Sequence, residues 1–152
     1  MKTINKQTEN MGGVLRLWAI PGSDITVAGN VVTIVSDTNM VNIYVREDSA
    51  TFTEDISKSF AGTIYKVDLS SVVACDNSDT LKLINEMERR CKYLVIYQDG
   101  NGNYKLAGTV KTPLRFTAKA TTGLGAAALN HYAISFSGNQ LKRAIFIDNP
   151  FA

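Results

Sequence analysis

Cysteine and histidine are scarce in this chain, and together these scarcities close off a class of function. The two cysteines, Cys75 and Cys91, lack Cys-x-x-Cys spacing, and His131 is the single histidine. A zinc site is not supplied with ligands by such a set. No run of about 18 apolar residues occurs, so no helical membrane span is expected. The opening MKTINKQTENMGG is polar and does not read as a secretion signal. Synthesis in a reducing cytosol, with both thiols free, is the expectation. Charge of one sign is also scarce: the net charge is +2. That is too weak to argue for attraction to nucleic acid or to an anionic membrane.

What is present describes one globular domain, residues 1–152. Hydrophobic residues make up 45% and charged residues 20% of the 152, enough to build an ordinary core. The charge is uneven. Residues 1–75 carry 6 basic and 8 acidic side chains, and residues 76–152 carry 10 and 6. Solvated strand faces account for such a bias, and an interface face is the other reading.

Along the chain, short alternating segments dominate. Residues 1–12 read as a polar arm. VLRLWAIP is a strand closed by Pro21-Gly22. ITVAGN and VVTIV form a hairpin around Gly29-Asn30, a pair that tolerates the positive φ of a tight turn. In VNIYVR, Val41, Ile43 and Val45 face one way. Residues 47–62, EDSATFTEDISKSFAG, lose this order and are expected to form a long loop or arm. TIYKVDLS resumes alternation, with Tyr65, Val67 and Leu69 inward. A helix follows, with Ser78 or Asp79 as cap and Leu81, Ile84, Met87 and Cys91 as its apolar stripe. Glu86 and Arg90 stand four apart on its outer side. YLVIY reads as a central strand and NYKLAG returns beside it. PLRFTAKA directs Leu114, Phe116 and Ala118 inward and Arg115, Thr117 and Lys119 outward. Residues 121–130 read as a flexible loop, and HYAISFSG and RAIFI as the last strands. The fold class is mainly β: a β-sandwich or barrel of about nine strands with one flanking amphipathic α-helix.

The most site-like string is YQDGNGNY, residues 97–104. Asp99, Asn101 and Asn103 have the spacing that opens a calcium loop. Such a loop needs Gly at its sixth position and an acidic residue at its twelfth. Here those are Tyr104 and Val110. Asp-Gly-Asn-Gly between apolar runs is a hairpin signal, and the turn reading is preferred.

Other chemistry fares no better. His131 would have to serve any Ser-His-Asp or Cys-His arrangement, yet no Gly-x-Ser-x-Gly elbow occurs. Glu47-Asp48 and Glu54-Asp55 are surface doublets with no apolar setting to raise a pKa. Gly123-Leu-Gly125 has neither the Gly-Lys-Ser/Thr of a phosphate loop nor the third glycine of a dinucleotide fingerprint. Trp18, beside Leu15 and Leu17, reads as a core or inter-subunit residue before a sugar-stacking one. Lys105, Lys111, Arg115 and Lys119 have few exposed aromatics among them for a nucleic-acid platform. No enzyme activity, cofactor or metal is expected. A β-sandwich binding module for carbohydrate or protein is the alternative.

A broader texture remains. KYLVIYQDGNGNYKLAGTVKTPLRFTAKATTG, followed by HYAISFSGNQLKRAIFI and a close near Asn149-Pro150-Phe151, resembles small structural proteins of tailed phages and prophages of Bacteroidales, including crAss-like phages. MGGVLRLWAIP with its following DITV strand is similar to that group as well. The resemblance covers most of residues 11–151 and rests on texture, not on catalytic signatures. It implies a tail-tube-like or neck-ring component such as a head–tail connector. Such a protein would form a six- or twelve-fold homo-oligomeric ring that joins neighbouring virion proteins around a channel for DNA. It would be assembled in the host bacterial cytoplasm, with no membrane partner. The candidate interface residues are Phe52, Phe60, Leu124 and Phe151, on segments poor at folding on themselves.

Overall fold

A computed structural model of the protein describes residues 1–4, 12–44, 49–73, 77–122 and 131–151. Eleven strands and one α-helix occur among them, in the order β1 (Val14–Ile20), β2 (Ile25–Ala28), β3 (Val31–Ile34), β4 (Val41–Ile43), β5 (Thr51–Ser59), β6 (Gly62–Val73), α1 (Ser78–Arg90), β7 (Lys92–Asp99), β8 (Tyr104–Ala107), β9 (Leu114–Thr121), β10 (His131–Gln140) and β11 (Ile145–Ile147). Nine strands share one antiparallel hydrogen-bonded network, and β2 and β3 form a separate hairpin. The mainly-β fold with one helix is therefore the observed class.

β7 organises the network. β1 runs along one of its edges. β9 takes the start of its other edge, at Lys92 and Tyr93, and β8 the remainder. The sheet divides at this point into β4-β1-β7-β8-β11 and β9-β10-β6-β5. Residues of both halves meet in one core, in which Leu17, Val95 and Tyr97 pack with Val67, Leu69 and Phe136. A second core lies on the opposite face of β7. There Leu94 and Ile96 pack with Trp18, Ile25, Val32 and Ile147 under the β2–β3 hairpin. YLVIY is apolar throughout because both of its faces are covered.

Alternation elsewhere follows one-sided burial. Phe52, Leu69, Phe136 and Phe116 are successive cross-strand partners and form one inward row. The next row, Thr51, Ser70, Ser135 and Thr117, faces out. Gly108 and Gly138 both lie close to Leu114. A Cβ on either would stand 3.3 Å from that side chain. The segments KLAG, PLRFTA and ISFSG thus meet in one packing contact. Gly108 also has φ +86°, a conformation that disfavours any residue with a Cβ.

Two expectations are corrected. Residues 51–59 are not a loop: they form β5, paired with β6 from Thr51–Ser70 to Ser59–Gly62. The apolar period is missing because β5 is an edge strand whose residues from Asp55 onward are exposed. Backbone pairing with β6 forms it, without a continuous apolar face. The helix cap is Asn77, one residue earlier than expected. Its side-chain oxygen accepts the Thr80 amide at 2.8 Å, and Ser78 is already helical. Ile84 and Met87 are buried as expected, whereas Leu81 is 46% exposed. Glu86 and Arg90 pair at 3.6 Å. Cys91 closes the helix at φ 67°, its amide donating to the Met87 carbonyl. Within 121–130, Thr121 ends β9, and residues 123–130 lie outside the described residues. Val45, Cys75 and residues 47–48 also lie outside them.

Candidate assembly interface

The four interface candidates stand on separate elements. Phe52 is half-buried on β5, and its ring lies 4.8 Å from that of Tyr97. The fold of one copy therefore covers it. Phe151 lies 4.5 Å from Trp18 and 6.3 Å from Tyr104, sealing the second core while remaining 40% exposed. Trp18 itself is 7% exposed, a core residue. Leu124 lies outside the described residues. Phe60 differs from Phe52 and Phe151, being fully exposed at the tip of the β5–β6 hairpin.

That hairpin reaches past its support. The β6–β10 ladder ends at the Tyr65–Gln140 pair, and residues 57–64 pair only with each other. All residues from Ile56 to Ile64 are exposed. At about 3.3 Å per residue, the free portion extends roughly 13 Å. Ser59 shapes its tip, the hydroxyl accepting the Ala61 amide and donating to the Gly62 carbonyl.

The base of the hairpin is tied down by Glu54, which sequence reading places in a surface doublet. Its carboxylate accepts the Ala144 amide at 2.7 Å and faces Arg143 at 3.4 Å. Arg143 in turn lies 4.8 Å over the Tyr65 ring. The only sequence signal for this role is parity: Glu54 stands two residues from Phe52 and shares its side of the strand.

Two depressions flank these elements. One, of about 320 Å³, is lined by Thr51, Phe52, Tyr97, Asp99, Asn101 and Lys105. The Tyr97 pKa is raised above its ordinary value by burial, with the Glu54 and Asp99 carboxylates adding to the shift. The other, of about 240 Å³, is a more apolar groove lined by Val27, Leu106, Val110 and Ile145, with Lys142 and Arg143 at its margin. Neither depression has a motif in the sequence, because each is assembled from distant strands.

The YQDGNGNY string is a turn between β7 and β8. Asp99 Oδ1 accepts the amides of Asn101 and Asn103 at 2.9 and 3.0 Å. Gly102 takes φ +85°. His131 opens β10 opposite Thr121. Among the described residues, no three His, Cys, Asp or Glu side chains gather as a metal site, and no helix is long and apolar enough to cross a membrane. No protein-family model, curated protein or solved structure matches the chain.

Proposed function

We propose that this chain is a structural subunit of a tailed-phage neck or tail. In this reading, copies form a homo-oligomeric ring that links neighbouring virion proteins around the DNA channel. The sequence resemblance motivates the reading. The structural observation that carries it is the projecting β5–β6 hairpin with Phe60 exposed at its tip. A two-stranded hairpin on its own is marginally stable in water, so one that leaves its sheet is suited to contact with a partner. A ring requires heterologous contacts whose rotation closes, and a projecting arm is a means of making them.

The outer face of β9-β10-β6-β5 suits a passive conduit. Its two central cross-strand rows are Arg115, Ser137, Asp68 and Thr53, then Thr117, Ser135, Ser70 and Thr51, and the rows beyond them add Lys119 on one side and Lys66 facing Asp55 on the other. Hydroxyls are its commonest polar groups, its cations Arg115, Lys119 and Lys66 are nearly balanced by Asp68 and Asp55, and Asp68 accepts from Ser135 at 3.0 Å. A lumen of this composition would neutralise few phosphates and so allow DNA to slide.

Native mass spectrometry over a concentration series, with negative-stain imaging of the largest species, tests the proposal. Closed rings of six or twelve copies are the expected result. A monomer at every concentration, with no affinity for other virion proteins, would refute it. The binding-module alternative requires a shared platform of exposed aromatics. Tyr44, Phe60 and Phe146 are 84%, 114% and 60% exposed, but they follow β4, tip the β5–β6 hairpin and lie on β11.

A further inference from the structure

The free hairpin and the apolar groove are two halves of one contact. We propose that Phe60 of one copy docks into the groove lined by Val27, Leu106, Val110 and Ile145 of a second copy. This inference rests on the self-assembly reading above and names the surfaces that would carry it.

The tip chemistry comes first. The positive φ of this turn falls on Gly62, at +126°, so the two positions before it are not restricted to Asn or Gly and are free to carry a side chain chosen for another purpose. Here the two residues between Ser59 and Gly62 are Phe60 and Ala61. Phe60 is fully exposed, and Ile64, 38% exposed, follows it on the free part of β6. Turn geometry does not call for a phenyl ring at this position. A contact beyond the molecule does.

The groove supplies a matching concavity. Leu106 is buried at its floor, while Val27, Val110 and Ile145 are 37%, 55% and 38% exposed around it. Its volume is about 240 Å³. A dry apolar cavity of about 150 Å³ admits benzene, so a phenyl ring fits with room for its approach.

The occupant cannot be the same chain's Phe60. Val67 lines the groove, and the strand from Gly62 to Val67 is extended. At about 3.3 Å per residue, that strand alone holds the tip roughly 17 Å away. A second copy brings both missing halves at once: each chain offers one knob and one groove on different surfaces. Such a contact is heterologous, so it propagates from copy to copy and can close into a ring. Charge does not drive it, because Lys58 on the hairpin and Lys142 at the groove margin have the same sign. Raising salt should therefore leave association intact or strengthen it.

The test uses the full chain and sedimentation velocity over a concentration series, with circular dichroism to verify folding. Phe60→Asp removes the knob and Val110→Asp the groove. Each variant alone should associate more than tenfold more weakly than the parent chain. An equimolar mixture should recover a one-to-one heterodimer and nothing larger, because one intact knob then meets one intact groove. Phe60→Ser and Val110→Ser provide the same comparison without new charge. If the parent chain forms rings and both variant pairs form them equally well, the docking inference fails and the ring reading stands. If the singly impaired variants stay monomeric when mixed, the pairing of these two surfaces is wrong. If the parent chain never self-associates, the docking inference fails, and the ring reading then falls only if the chain also has no affinity for other virion proteins.

Discussion

Ser71 carries the sharpest conflict at the scale of single residues. It follows Val67 and Leu69 along the inward side of β6 and is 3% exposed. Its hydroxyl has no hydrogen-bond partner among the described residues. A buried polar group left unpaired costs about 1–3 kcal/mol. Ser71→Ala should therefore raise stability, by about 1 kcal/mol in urea unfolding. A loss of stability would show that the hydroxyl is satisfied in solution. Asp99 is the contrasting case. Its carboxylate spends one oxygen on two backbone amides of a turn, which explains why an ion-like spacing proves to be local scaffolding.

Elements show how few side chains hold the pieces in place. Asn77 caps α1 through one 2.8 Å bond to the Thr80 amide. Asn77→Ala should cost about 1 kcal/mol, read as a lower unfolding midpoint with an unchanged denaturant slope. Glu54 links β5 to the segment before β11. Glu54→Ala strands the Ala144 amide and should cost about 1–3 kcal/mol. Faster amide exchange at Ala144, with little change at Leu94 on β7, would locate that loss. Unchanged exchange at Ala144 would refute the role. The helix stripe, the β7–β8 turn and most alternating strands are legible in sequence because each depends on neighbours a few residues away. β5 is not legible. A strand exposed beyond Glu54 needs no apolar period, and its Ser, Thr and Asp content reads locally as loop.

For the whole molecule, one face of β7 sets the alkaline limit. Tyr93 and Tyr97 are both buried, and burial holds both pKa values above the ordinary 10. Arg90 partly offsets the shift at Tyr93, whereas Glu54 and Asp99 reinforce it at Tyr97. The unfolded chain therefore releases these protons near pH 10 while the folded chain retains them. Their contribution to stability is complete below pH 10 and is lost as pH rises above it, by up to about 1.4 kcal/mol per pH unit for each tyrosine. Unfolding midpoints at pH 8, 10 and 11 should fall along this series. Tyr97→Phe should shallow the decline by one tyrosine's share, and an unaltered pH profile would count against burial as its cause.

Local residue patterns suffice for the mainly-β class, the helix with its buried Ile84 and Met87, the two tight hairpins, and the inward sets of β6 and β9. Period-two and period-3.6 burial are local patterns, and one-sided cores impose them directly on the chain. Long-range packing assigns Phe52 to the core and Phe60 to solvent, although the two lie on one hairpin. That difference depends on where β10 stops supporting β6, a contact between segments far apart in sequence. The groove is likewise tertiary: Val27, Leu106, Val110 and Ile145 become neighbours only when β8, β11 and the β2–β3 hairpin have packed. Packing between distant segments carries no local period, so these surfaces had no signature to read before the chain was folded.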